Sequence, residues 1–145
     1  MAQQMPDTES IKKLNQTIAD EFRANGGKVG GQFKDADLLL LTTTGAKSGR
    51  PRLSPLAYFR IDGKLLIIGS FAGADVNPGW VHNLRANPSA RVEVGSDASD
   101  VTAHELSPAE RDDLFAKITA VSPGFAKYQA KTSRVIPVFE LQPAS

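Results

Sequence analysis

Asp62-Gly63 lies between two short runs rich in apolar residues, Leu53 to Arg60 and Lys64 to Ser70. An Asp-Gly pair between such runs is among the strongest local signals for a β-hairpin, because both residues tolerate a positive φ. A connection of two residues joins antiparallel strands, since a parallel crossover needs about a dozen residues or more. We therefore expect these two runs to pair as neighbouring antiparallel strands.

Four further runs have the pattern of short strands: Leu38 to Thr43, Ala90 to Gly95, Val101 to Leu106, and Arg134 to Leu141 with an interruption at Pro137. Ser96 to Asp100 is predicted to be a turn. Pro55 lies inside the second run and indicates that one edge of that strand is unpaired, because proline has no N–H to donate. Strands and helices do not alternate regularly, which disfavours a doubly wound fold. We expect a mainly β fold with helices, in which about six antiparallel strands form a closed or nearly closed sheet.

The helix signals lie between and before these strands. Ser10 is predicted to cap a helix that runs to about Asn25 and is ended by Gly26-Gly27, with Lys28 to Lys34 as a loop. Three further helices are predicted: one from Asn77-Pro78 to Asn87-Pro88, one that the capping box Ser107-Pro108-Ala109-Glu110 opens, and a short one from Phe125 to Lys131. We expect a single domain over 1–145, with an N-terminal helix and loop over 1–32 and the barrel over 33–141.

The composition excludes several classes of function. The chain has no Cys, so disulfides, thiolate metal sites and Cys nucleophiles are absent. Its net charge of +1 gives no overall drive toward nucleic acid. His82 and His104 are far apart and lack the spacing of metal ligands, and Ser70 lacks the elbow motif of hydrolases. No signal peptide or membrane-spanning run is present, which predicts a cytoplasmic protein.

The first stretch that could carry chemistry is Thr42 to Arg52, which holds three basic residues and no acid. Its two glycines let the main chain approach a ligand, and its hydroxyl groups add donors, as a phosphate or carboxylate site requires. A solvated basic hairpin tip has the same composition. The stretch is not a P-loop, because Ala46 rather than Gly precedes Lys47 and a proline-containing strand follows.

A second stretch runs from Gly69 to Trp80, where a strand ends, a loop of small residues follows and a helix begins. Free N–H groups at a helix start suit an anion or an electron-rich ring edge, and small residues let a flat ring lie against the main chain. An ordinary strand-to-helix connection also explains this pattern. Trp80, the only tryptophan, is by itself more typical of a core.

Taken together, these stretches resemble the motifs of the deazaflavin-dependent nitroreductases of actinobacteria. Thr42 to Arg52 resembles the first motif of that family. The second and third motifs correspond to Asn77-Pro78-Gly79-Trp80 with Asn83-Leu84 and Ala86-Asn87-Pro88, and to Ser122-Pro123 through Tyr128 to Ile136-Pro137-Val138. The similarity extends from Phe33 to Leu141, and the three motifs in this order are specific although each alone is weak.

The resemblance implies a split β-barrel related to the FMN-binding, pyridoxamine-oxidase-like fold. It also implies coenzyme F-420, an 8-hydroxy-5-deazaflavin that carries a phosphate and an oligoglutamate tail. By this resemblance Lys47 and Arg52 would contact the phosphate or tail, surrounded by Ser48, Gly49 and Arg50. The other implied cofactor-binding residues are Ser54, Pro55, Leu56, Ile68, Gly69, Ser70, Gly73, Asn77, Pro78, Trp80 and Asn83.

The implied reaction is hydride transfer from reduced coenzyme F-420 to a flat conjugated acceptor, such as a quinone or an enone, with nitroaromatics as further acceptors. Ser70 and Tyr128 are the candidates for hydrogen bonding to the acceptor, and Ala57, Phe125 and Tyr128 for its pocket. The nitroimidazole-activating member of the family has several tyrosines along this wall. Because this chain has Ala57, Ser122 and Phe125 there, we expect a more apolar pocket that favours quinones, enones or other flat conjugated acceptors over nitroimidazoles.

Two other functions of the same fold stay open on the sequence, a non-catalytic carrier of coenzyme F-420 and an FMN-dependent oxidoreductase. The three cations of the basic stretch favour the more anionic coenzyme over FMN, which has a single phosphate. The expected partner is a small-molecule acceptor and not a nucleic acid, and the chain is expected to be a monomer or a homodimer. Peripheral contact with the inner membrane face would serve lipid quinones, although the apolar face of the first helix more simply covers the barrel.

Overall fold

The computed structural model describes residues 8–26, 38–70 and 76–144, without the side chains of residues 8–12 and 14. The predicted loop from Lys28 to Lys34 lies outside these residues. The described chain contains four helices and six strands in the following order: α1 (Thr8–Ala24), β1 (Leu38–Thr44), β2 (Pro51–Ile61), β3 (Lys64–Ile68), α2 (Gly79–Ala86), β4 (Ser89–Val94), β5 (Asp97–Glu105), α3 (Pro108–Val121), α4 (Gly124–Ala130) and β6 (Val138–Pro143).

The six strands form a closed barrel in the order β1-β2-β3-β6-β5-β4, and every neighbouring pair is antiparallel. The predicted mainly β fold with six antiparallel strands is confirmed. Asp62 and Gly63 make the predicted turn between β2 and β3, with φ of 53° and 78°. Two positive φ angles match the right-handed twist of the strands that a tight hairpin joins. Closure occurs where β1 pairs with β4, with Leu41 opposite Val92.

Burial on both faces explains the unbroken run of leucines in β1. Leu39 and Leu41 pack inside the barrel, in the cluster that contains Trp80 of α2. Leu38 and Leu40 lie on the other face of the strand and pack with α1. Successive side chains of a strand point to opposite faces, so a strand that is covered on both faces needs apolar residues at every position.

The remaining helices cover other parts of the barrel. α2 closes the barrel interior, because Val81 and Leu84 join Trp80 in the inner cluster. α3 packs outside β3, where Ile118 meets Leu66 and its neighbours. None of the helices in the described parts of the chain is long and apolar enough to cross a membrane.

Several predicted boundaries are wrong at the start of an element. α1 already contains Thr8, so Ser10 lies within the helix and does not cap it. The turn predicted from Ser96 to Asp100 is shorter, because a positive φ of 60° at Gly95 lets β5 begin at Asp97. α2 begins at Gly79 with Pro78 as its N-cap residue, and no side chain caps it.

Two strands are also shorter than predicted. β3 ends at Ile68, because the carbonyl groups of Gly69 and Ser70 accept hydrogen bonds from the Arg134 side chain. β6 begins only at Val138, because the main chain of Ile136 is bonded to side chains of α3 and α4. Side-chain hydrogen bonds of this kind compete with a strand ladder for the same main-chain groups.

Candidate functional site

A cleft of about 820 Å³ lies between α1, the start of β2 and the start of α2. Its volume falls within the range of roughly 300–1,000 Å³ that is usual for small-molecule sites. The lining residues come from these three elements and the turn before β2: Asn15, Gln16, Arg50, Pro51, Arg52, Leu53, Ser54, Pro55, Leu56, Pro78, Gly79, Trp80 and Asn83. Eight of these were predicted as cofactor-binding residues, namely Arg50, Arg52, Ser54, Pro55, Leu56, Pro78, Trp80 and Asn83.

One side of the cleft is an open strand edge. β2 pairs with β1 from Pro51 to Ala57, whereas the pairing of β3 with β2 in the described chain begins only at Tyr58. The Leu53 carbonyl faces the open edge and accepts a hydrogen bond of 3.1 Å from Asn15 Nδ2. Main-chain groups alternate in direction along a strand, so Pro55 faces the same edge and has no N–H to leave unpaired there. The predicted unpaired edge at Pro55 is confirmed.

The charged residues of the cleft lining are the two arginines Arg50 and Arg52, and no carboxylate is present among the described lining residues. Arg50 ends the turn before β2 and Arg52 is the second residue of β2. Within this turn Gly45 N donates to Arg50 O at 2.8 Å, and Gly49 N donates to Gly45 O at 2.9 Å. Gly49 has a φ of 69°, which a residue with a side chain rarely adopts. Two guanidinium groups without a competing carboxylate suit a phosphate or a polycarboxylate.

The same turn holds the other predicted residues of the basic stretch outside the cleft. Lys47, Ser48 and Gly49 are exposed and do not line it. Ser48 Oγ accepts a hydrogen bond of 3.2 Å from Arg50 N, so it stabilises the turn. Lys47 lies three residues before Arg50 on this turn.

Asn83 of α2 joins the turn to the barrel. Its Oδ1 accepts from Ala46 N at 2.9 Å, and its Nδ2 donates to Thr43 Oγ1 at 3.0 Å. Asn83 is 9% exposed and Thr43 is 2% exposed, so both bonds lie in or at the edge of the protein interior. The amide therefore fixes the distance between α2, β1 and the turn before β2.

Of the predicted residues from the end of β3 to Asn77, those that the structure describes do not line the cleft. Ile68 is buried against α3, and Gly69 is packed against Pro137 and Val81. The Ser70 carbonyl and the Asn77 side chain accept hydrogen bonds from Arg134. Gly73 lies outside the described residues.

Of the residues predicted for the acceptor pocket, Phe125 and Tyr128 are brought together, whereas Ala57 packs in a different cluster. Ala57 packs with the cluster under α1. Phe125 and Tyr128 pack with the cluster under α3, and the Phe125 ring makes edge contacts with Phe59 and Tyr128 at centroid distances of 5.5 and 5.6 Å. Within the described chain, none of these three residues lines the cleft.

Sequence reasoning missed the contribution of α1. Asn15 and Gln16 line the cleft, next to the buried residues Ile18 and Phe22 that attach α1 to the barrel. The available signal was a polar pair at the margin of an apolar helix face, but the sequence does not show which element that margin meets.

A second contact attaches the end of α1 to β4. Arg23 donates two hydrogen bonds to the carboxylate of Glu93, at 3.0 and 2.8 Å. These bonds, and the charge of Arg23, hold the pKa of Glu93 below its ordinary value against the opposite effect of burial. The pair therefore supports the α1 wall of the cleft in the pH range in which the carboxylate is ionised.

The cleft combines anion-binding groups, an open main-chain edge and an apolar end at Leu56 and Trp80. Such a site can hold an elongated anionic ligand with a flat apolar part. In the described parts of the chain no group of three His, Asp or Glu side chains could hold a metal ion.

Comparison with known proteins gives a consistent result. Residues 14–143 match the family model described as F420H(2)-dependent quinone reductase. An F420H(2)-dependent quinone reductase of Mycobacterium tuberculosis is 37% identical over 126 residues, which cover 83% of this chain and 83% of that protein.

Two solved structures are also similar. An F420-H2 dependent reductase has 39% identity and a TM-score of 0.65, and the match covers 73% of this chain and 94% of that chain. A chain described as a domain-swapped dimer has 34% identity and a TM-score of 0.68, and the match covers 93% of this chain and 98% of that chain.

Proposed function

Because the chain belongs to the F420H(2)-dependent quinone reductase family, we propose that the cleft beside the open edge of β2 is its site for coenzyme F-420. The predicted family, cofactor and reductase activity are confirmed, so the chain is an oxidoreductase.

The observation that carries this placement is the pair of arginines in a lining without carboxylates. Arg50 and Arg52 lie at the end of the cleft where the turn meets β2. Their guanidinium groups match the phosphate and the carboxylates of the oligoglutamate tail in charge and in planar geometry. Lys47, exposed on the same turn, adds to the attraction without lining the cleft.

The other end of the cleft suits the ring system. Leu56 and the buried Trp80 supply apolar surface, and Pro55 on the open edge of β2 also lines the cleft. Apolar walls around a bound ring exclude water, and the fixed edge of β2 limits the orientations that a flat ring can adopt. When bound, the reduced coenzyme supplies the hydride that the acceptor takes up. The work of this chain is therefore to bind and orient.

The acceptor contacts remain predictions. Ser70 and Tyr128 are still the candidates for hydrogen bonds to the acceptor, and Ala57 and Phe125 for its apolar surroundings. Ser70 lies in the connection that leads to α2, the helix whose first residues line the cleft, which supports its candidacy more than that of Tyr128. Single substitutions Ser70→Ala and Tyr128→Phe, with the KM for a quinone as the measurement, separate the two candidates.

The proposal is tested by fluorescence titration of the protein with coenzyme F-420, beside FMN and beside the deazaflavin riboside that lacks the phosphate and tail. In the double variant Arg50→Gln/Arg52→Gln we expect affinity for the coenzyme to fall about 100-fold, because two charge-assisted hydrogen bonds are lost. The salt dependence of binding should flatten, and affinity for the riboside should change little.

The matched control is Arg91→Gln, which removes an exposed arginine on β4 whose partner, Asp100, is also exposed. Coenzyme affinity of this variant should equal that of the wild type. An unchanged coenzyme affinity in the arginine double variant would refute the placement of the coenzyme in this cleft. Tighter binding of FMN than of coenzyme F-420 would contradict the expected preference for coenzyme F-420.

Assembly, domain limits and location complete the proposal. A similar solved chain is described as a domain-swapped dimer, which supports a homodimer for this chain over a monomer. Light scattering after gel filtration measures the oligomeric state directly.

The division into an N-terminal segment, 1–32, and a barrel, 33–141, is supported by the packing of α1 outside β1. A cytoplasmic location, with or without contact with a lipid surface, is tested by cell fractionation.

A further inference from the structure

Arg134 is a partly buried arginine that reaches the segment between β3 and α2. Its Nη1 donates to Gly69 O at 3.1 Å and to Asn77 Oδ1 at 2.9 Å, and its Nη2 donates to Ser70 O at 2.8 Å. Gly69 and Ser70 follow β3 directly, whereas Asn77 precedes the N-cap residue Pro78 of α2. One guanidinium group therefore holds both described ends of this connection.

Arg134 is in turn held by side chains from α3 and α4. Gln129 Nε2 donates to Arg134 O at 2.7 Å, and Gln129 Oε1 accepts from Arg111 Nη2 at 2.6 Å and from Ile136 N at 3.0 Å. Arg111 is 9% exposed, and its Nε donates to Ile136 O at 2.9 Å. This network fixes the main chain before β6, so Arg134 extends from a rigid base.

Close packing couples the position of Gly69, at the end of β3, to the position of α2. A Cβ atom placed on Gly69 would lie 2.9 Å from Pro137 Cγ and 2.9 Å from Val81 Cγ2. The end of β3, the entry to β6 and the first turn of α2 therefore meet without free space. Because close-packed elements move together, a shift of Gly69 moves Val81 and the neighbouring Trp80.

We propose that Arg134 is a positioning residue that sets the place of α2, and with it one wall of the cleft. Its three bonds require the planar fork of a guanidinium, because acceptors on two different segments must be reached in fixed directions. The effect on catalysis rests on the proposed function of the cleft. The effect on the position of α2 is independent of the proposed function, because it is measured on the protein without a bound coenzyme.

The first experiment measures α2 without any cofactor. Trp80 is the only tryptophan, is 6% exposed and lies in the first turn of α2, so its fluorescence reports the place of that helix. In Arg134→Gln we expect the constant for quenching by acrylamide to rise about twofold or more, since release of the connection lets α2 open locally. Arg134→Lys should behave similarly, because one ammonium cannot replace the fork, and Arg91→Gln should match the wild type.

The second experiment measures turnover of a quinone with reduced coenzyme F-420. For Arg134→Gln we expect kcat/KM to fall about 100-fold, the effect of an error of about 1 Å in the placement of reacting groups. The Kd of the coenzyme should change far less than in the Arg50→Gln/Arg52→Gln variant. Asn77→Ala should add little to Arg134→Gln, because both changes break the same bond.

The outcomes separate the two proposals. A wild-type protein that does not oxidise the reduced coenzyme refutes the proposed function, and the quenching of Trp80 still decides the role of Arg134. Wild-type quenching in a folded Arg134→Gln protein overturns the inference, as do fully additive effects of Arg134→Gln and Asn77→Ala. If Arg134→Gln does not fold, Arg134→Lys takes its place in the quenching measurement and in the combination with Asn77→Ala. The same criteria then apply.

Discussion

Replacement of Asn83 by leucine tests whether α2 holds in place the turn before β2. Leucine has the same number and branching of side-chain heavy atoms as asparagine but has neither a donor nor an acceptor. In Asn83→Leu the N–H of Ala46 loses its acceptor at 2.9 Å, and the hydroxyl of Thr43 loses its donor at 3.0 Å. Because the side chain is only 9% exposed, the leucine adds little exposed apolar surface.

The size of the effect follows from the two polar groups left behind. An unsatisfied buried polar group costs about 1–3 kcal/mol, and the Thr43 hydroxyl is almost completely buried. Ala46 is exposed, so water replaces part of its lost bond and its share lies at the lower end. We expect the free energy of unfolding to fall by about 2–4 kcal/mol for the two groups together. Affinity for coenzyme F-420 should fall about tenfold, since the arginines are then less well pre-organised.

Urea denaturation followed by circular dichroism measures the first quantity, and fluorescence titration the second. His82→Leu is the matched control, because His82 is the exposed neighbour of Asn83 on the same helix. This control should change stability by no more than about 0.5 kcal/mol. Equal stability of the Asn83→Leu and His82→Leu proteins would show that the amide does not hold the turn.

Two further predictions concern other supports of the cleft. Arg23 holds the pKa of Glu93 below its ordinary value, so the ionised form of Glu93 stabilises the folded protein. This contribution to stability is present above the ordinary carboxyl pKa and is lost as pH falls below about 4. Glu93→Gln should therefore flatten the acidic limb of a plot of Tm against pH, and an unchanged limb would contradict the role of this pair. Gly69→Ala should destabilise by about 1–3 kcal/mol, because its Cβ would lie 2.9 Å from the rigid ring of Pro137. Gly124→Ala, with no atom within 4 Å of its Cβ, should be neutral or slightly stabilising in the same denaturation assay.

The sequence predicted the elements that depend on neighbouring residues. Asp62-Gly63 makes the expected turn, and the Ser107 side chain accepts from Glu110 N in the expected capping box. These signals are complete within four residues, so no distant part of the chain can change their meaning.

Asn77 shows why other boundaries could not be predicted. Its local pattern with Pro78 is that of a helix cap, yet α2 has no side-chain cap and the Asn77 amide oxygen binds Arg134. The partner is 57 positions away in the sequence. A short polar side chain binds the nearest available donor, and which donor is nearest depends on how β6 enters the barrel.

The residues of the candidate site that lie within one short charged stretch were predicted. Those whose position depends on how α1 packs against the barrel were missed. Arg50 and Arg52 stood out in the sequence because they share a short stretch without acids. Asn15 and Gln16 did not, because the element that they face depends on how α1 docks through Phe22. The resemblance to a family did not supply them either, since its motifs begin after α1.

The open edge of β2 has a consequence for self-association. An unpaired strand edge is a template onto which a strand of another molecule can add, and such addition begins many aggregates. Here the edge is interrupted by Pro51 and Pro55, which cannot donate to an incoming strand, and it is flanked by the charges of Arg50 and Arg52. The prolines that leave this edge of β2 unpaired in the described chain thus also oppose its extension by a strand of a second polypeptide.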